Sequence, residues 1–148
     1  MTFVLLFAVL LLALAGCSKG EPRIRVEEQE ALLSPIILGS GSIFMKIVNS
    51  GTGGDSLIKA RINIPDAVVE LHDYQEGKMA TINRIPIQKK STTVLRPASY
   101  HIMIFRMPKD LAEGAEVIVT LVFETSGEIS LPLQFKSSAT HQRKGSYR

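Results

Sequence analysis

The sequence predicts an all-β fold, an antiparallel β-sandwich or Greek-key barrel, and three observations carry that prediction. Apolar residues recur with a period of two, not 3.6, along most of the 148 residues. Turn-forming clusters such as Asn49-Ser50-Gly51-Thr52-Gly53-Gly54 punctuate the alternating runs. Roughly seven to nine short strands result, a number and spacing that suit one sandwich or barrel.

The elements follow in chain order. Ile24, Val26 and Glu28 open a short alternating strand, and Glu27 to Leu33 reads as the one helical stretch. Ile43 to Val48 is a stronger strand. Its odd positions, Ile43, Met45 and Ile47, are wholly apolar, whereas the even set contains Lys46, so the odd set is expected to face the core. Leu57 to Ile64 alternates and stops at Pro65; Val68 to His72 follows, then a turn at Glu76-Gly77 and a strand from Met79 to Ile82. Thr92–Leu95, Tyr100–Phe105, Val117–Phe123 and Ile129–Phe135 complete the set, the last two joined by the hairpin signal Thr125-Ser126-Gly127-Glu128. No internal repeat is present. The tail from Ser137 is polar and basic without apolar period, which predicts disorder.

Composition removes many functions. Seventeen Lys and Arg against fourteen Asp and Glu leave a net charge of +3, spread along the chain and too small to mark a nucleic-acid groove. Trp is absent and aromatic residues are few, so no stacking platform for bases is expected. A single cysteine excludes an internal disulfide, a redox pair and a multi-cysteine metal cluster. Neither a nucleophile elbow nor a phosphate loop occurs. Gly39-Ser40-Gly41-Ser42 reads as a strand connection, and Glu70, Asp73 and Glu76 read as a solvated hairpin face. Nothing resembles a hydrolytic active site.

The N-terminus suggests export. Residues 1–18 carry no charge, and Phe3 to Ala15 form an apolar run. Its length of about thirteen residues is short of the roughly 20 that span a bilayer as a helix. The run ends in Leu14-Ala15-Gly16-Cys17, which resembles a bacterial lipobox. That resemblance implies cleavage after residue 16 and an acylated Cys17; the alternative is an ordinary export signal with an incidental cysteine. Ser18 after the cysteine implies outer-membrane sorting where two membranes exist. The expected organisation is a signal peptide over 1–16, a tether over 17–23, a β-domain over 24–136 and a tail over 137–148.

His101-Ile102-Met103 is the most informative triplet. Residues two apart on a strand project from one face, so the imidazole and the thioether stand side by side. His72 ends an earlier strand and Met79 begins the next, so two imidazoles and two thioethers converge if these strand ends meet. Such a set is neutral and soft, which favours Cu(I) over magnesium, calcium or zinc. A blue-copper electron-transfer centre would need a thiolate, and the domain offers none beyond Cys17. The bland reading makes Met79 and Met103 core filler and both histidines surface residues.

From Phe44 to Val122 the chain resembles the periplasmic copper chaperones of the PCu(A)C type. Their pattern is His, ten residues, Met, twenty-one residues, His, one residue, Met. Here Met79 and His101 are separated by twenty-one residues and His101 and Met103 by one, whereas His72 and Met79 are separated by six, a shortened hairpin. Phe44-Met45-Lys46-Ile47-Val48-Asn49-Ser50-Gly51, Ile85-Pro86-Ile87, Leu95-Arg96-Pro97 and Tyr100-His101-Ile102-Met103 add to the likeness, while Ala98-Ser99 stands where the family often has Gly-Gly. The resemblance implies a cupredoxin-like Greek-key domain that binds Cu(I) through His72, Met79, His101 and Met103. It further implies a chaperone, not an enzyme, on the periplasmic side of the cell envelope, which the lipid expected on Cys17 would anchor to the membrane. Its expected partner is a membrane-bound copper acceptor, such as a cytochrome c oxidase subunit during assembly of the binuclear copper centre, or another copper chaperone. The competing expectation is an envelope lipoprotein that acts as an adhesion or assembly module without metal.

Overall fold

The computed structural model describes residues 20–138; the signal segment, Cys17 and the tail from residue 139 onward lie outside them. Ten strands form: β1 (Ile24–Leu33), β2 (Gly41–Asn49), β3 (Asp55–Ile62), β4 (Val68–Gln75), β5 (Lys78–Ile82), β6 (Ile85–Ile87), β7 (Ser91–Leu95), β8 (His101–Phe105), β9 (Glu116–Phe123) and β10 (Gly127–Ser137). They are joined in the order β5-β4-β8-β2-β1-β10-β9-β3-β6, with β7 also on β2. The predicted all-β Greek-key architecture is therefore what the chain adopts.

β10 is the seam. Residues 127–134 pair antiparallel with β9, and residues 135–137 pair parallel with β1. One long strand thus belongs to two sheets, and the core lies between them. Ile43, Met45 and Ile47 of β2 are buried as their alternation predicts, against Leu57, Ile102, Leu121 and Phe135. Burying each such side chain contributes roughly 1.5–3 kcal/mol.

The helix expected over Glu27–Leu33 does not form. That segment continues β1, and its pairing with β2 slips between Glu27 and Glu30, where Glu28 has a φ of 49°. The extra residue of this bulge shifts the inward-facing set from the even residues to Ala31 and Leu33. An alternation broken in this way mimics helical spacing. Upstream, the backbone carbonyls of Glu21 and Arg23 accept hydrogen bonds from Thr52, Gly53 and Ser50, which ties residues 21–23 to the β2–β3 turn. Gly53 is required there, because a β-carbon would run into the Gly20 carbonyl.

Candidate metal centre

Strand register builds the site. β4 and β8 are antiparallel neighbours with Glu70 opposite Met103 and His72 opposite His101. β2 places Ser42 opposite Met103 on the other side, and β5 places Thr81 opposite His72. Directly opposed residues share a face. Ser42, Glu70, His72, Thr81, His101 and Met103 therefore project from one face, while Leu71 and Ile102 between them project into the core.

Met79 joins this face through the hairpin. Glu76 and Gly77 both have positive φ, 50° and 82°, a two-residue turn whose twist matches the flanking strands. It pairs Met79 with Tyr74, and Met79 lies two residues from Thr81, hence one diagonal step from His72. Such diagonal neighbours are about 7–8 Å apart, within reach of a long side chain. The shortened hairpin keeps the thioether on the correct face but leaves it 59% exposed, whereas His72, His101 and Met103 are all buried.

The two imidazole rings lie 5.6 Å apart between centroids, flanked by Phe44 against His101 and Phe105 against His72. The Nδ1–H of His101 donates to the Ser99 carbonyl at 2.7 Å, so its lone pair is on Nε2. His72 Nε2 lies 2.8 Å from a Glu70 carboxylate oxygen, while its Nδ1 is buried with no hydrogen-bond partner. Met103 Sδ accepts from the Ser42 hydroxyl at 3.0 Å. Burial pushes the His101 pKa below the ordinary histidine value, the Ser99 bond opposes this, and the neighbouring His72 adds to the lowering. Glu70 is held below the usual carboxylate range, chiefly by the hydrogen bond from His72 and then by that from Thr81.

Met79, His101 and Met103 share an open, largely apolar pocket of about 510 Å³ with Leu32, Phe44 and the turn 34–37. Ile36, Ile37 and Leu38 stand exposed beside it. Among the described residues no cluster of three or more His, Cys, Asp or Glu side chains is arranged to hold a metal. A metal at this face would depend on the thioethers, which is the donor chemistry of a soft monovalent ion. His72 does not line that pocket, but its ring packs against the His101 imidazole, and its orphaned nitrogen fits such an ion. Glu70, set aside in the sequence as part of a solvated face, is the residue that reasoning missed. Its position two before His72 on a strand was the available signal.

An all-β domain with this topology has the fold of PCuAC domains. Over 79% of this chain and 98% of its own, the copper-bound PCuAC domain from PmoF2 superposes with a TM-score of 0.64 at 21% identity. The Cu(I) form of DR1885 from Deinococcus radiodurans superposes with a TM-score of 0.63 at 18% identity, over 84% of each chain. No curated protein matches the chain. The LpqE-like family model matches residues 28–135, and the chain belongs to that family, whose description is of a lipoprotein.

Proposed function

We propose that the protein is an extracytoplasmic Cu(I) chaperone that holds its cargo with His72, Met79, His101 and Met103 and is anchored through a lipid on Cys17. The observation that carries this reading is the buried, unpartnered Nδ1 of His72 beside His101, on the same face as two thioethers. Buried polar atoms are nearly always satisfied, so an orphaned ring nitrogen in this setting suits a ligand that arrives from outside. All four donors are neutral, and thioether sulfur favours Cu(I). His101 and Met103 come from one strand and are preset; Met79, exposed at the rim, can bind and leave first. Ligands released one at a time suit transfer of the ion to another protein rather than catalysis.

The likeness to copper-bound PCuAC domains supports the same reading, as does membership of a lipoprotein family. The acceptor we propose is a membrane-bound copper protein on the periplasmic side, with the binuclear centre of cytochrome c oxidase as the leading candidate and a second copper chaperone as the other. The apolar rim Ile36–Leu38 beside the pocket suits contact with such a partner. The segment before residue 21 would tether the domain to the envelope membrane, since residues 21–23 are bonded to the β2–β3 turn, and a tail would begin after Ser137, the last residue of β10. Cu(I) competition titration tests the proposal. One ion bound per chain supports it, and an absence of stoichiometric binding leaves the metal-free envelope module.

A further inference from the structure

We infer that Glu70 is a positioning residue of this site: its carboxylate fixes the His72 ring so that Nδ1, and not Nε2, is the nitrogen offered to a ligand. The inference deepens the copper reading and rests on it for the identity of that ligand. Glu70 and His72 lie two apart on β4, and Glu70 Oε2 accepts from His72 Nε2 at 2.8 Å. The same oxygen accepts from the Thr81 hydroxyl at 3.1 Å, so the carboxylate is itself held in place from the neighbouring strand. Nε2 is therefore the protonated nitrogen, and the lone pair resides on the buried, unpartnered Nδ1. In the opposite tautomer a buried Nδ1–H would have no acceptor, and the Nε2 lone pair would face a carboxylate.

His101 is fixed in the reverse sense, because its Nδ1–H donates to the Ser99 carbonyl. The two histidines, opposite each other across β4 and β8, thus present unlike nitrogens, Nδ1 from His72 and Nε2 from His101. Glu70 spends Oε2 on a ring N–H and a hydroxyl, which makes it a partner of the His72 ring and leaves the four proposed donors neutral. Partners that orient a ligating histidine in this way are typically worth 10–100-fold in metal affinity.

Nitrogen-15 NMR of the imidazole side chains in the full chain at pH 8 tests this without any metal, and Cu(I) competition then reads the consequence. The unmodified protein is expected to show His72 with Nε2 protonated and Nδ1 bare. In Glu70→Ala the ring should become a tautomer mixture and Cu(I) affinity should fall 10–100-fold. In Glu70→Gln the amide carbonyl still accepts from Nε2–H, so the tautomer should return and affinity should recover to within a few-fold. A His72 ring protonated at Nδ1 in the unmodified protein would overturn the inference, as would a tautomer and affinity indifferent to Glu70→Ala. Should Glu70→Ala fail to fold, the unmodified and Gln spectra decide. The expected tautomer pattern in a protein that binds no Cu(I) would sink the copper reading and leave the positioning role standing.

Discussion

Met103 is the residue at which packing and ligation separate most cleanly. Its side chain is buried, and its sulfur accepts from Ser42 at 3.0 Å. Leucine keeps the volume, so Met103→Leu should cost less than about 1.5 kcal/mol in urea unfolding. Loss of the sulfur should still weaken Cu(I) binding at least about tenfold, or roughly 1.4 kcal/mol, in a competition assay. The same swap at exposed Met79 reads whether three ligands suffice: an unchanged affinity there assigns the site to His72, His101 and Met103. His101 adds a pH dependence. Its pKa in the fold is below the ordinary value of about 6.5, so the unfolded chain protonates first as pH falls. Stability of the metal-free protein should therefore decline from about pH 6.5 down through the lower folded value. Urea midpoints between pH 7.5 and 5.5 should show this decline, and His101→Gln should flatten it. The His101/Met103 pair was legible because one strand fixes it. The contact of His72 with His101 was not, since cross-strand register leaves no trace in local spacing.

At the level of elements, hairpins were easier to read than the strands they join. Glu76-Gly77 and Thr125-Ser126-Gly127 each announce a turn through a glycine, which takes up positive φ without strain, and both turns form. β1 was misread because the bulge at Glu28 changes the phase of its alternation, which a period-two pattern cannot anticipate. The β9–β10 hairpin has a second fastening that composition alone does not reveal. Buried Asp55 accepts from the amides of Ser56, Thr125 and Ser126 and from the Ser126 hydroxyl, at 2.6–2.9 Å. Burial raises its pKa, but these four bonds together outweigh it and leave the carboxyl below its ordinary value. Asp55→Ala should orphan the Thr125 and Ser126 donors and cost about 2–4 kcal/mol, measured as a shift of the urea midpoint. The contribution is present above the unfolded aspartate value of about 3.9 and is lost as pH falls through the lower folded one.

Over the whole molecule, alternation was enough to predict a Greek-key β-domain, because inward-facing sets such as Ile43, Met45 and Ile47 have one place to go. The parallel pairing of β1 with β10, which joins residues about a hundred positions apart, has no local signature, and so the closure of the two sheets was not foreseen. That closure matters for function. It buries one face of β2, β4 and β8 as core and leaves the other to carry two imidazoles, a carboxylate that orients one of them and the Met103 thioether, with β5 adding that of Met79. The central claim is that this outer face binds a single soft cation. X-ray absorption on the protein loaded with Cu(I) tests it most directly, since it counts sulfur and nitrogen neighbours at the metal. The expected spectrum has two imidazole nitrogens with one or two thioether sulfurs around one copper per chain. A first shell without sulfur, or no copper retained after desalting, would contradict the account.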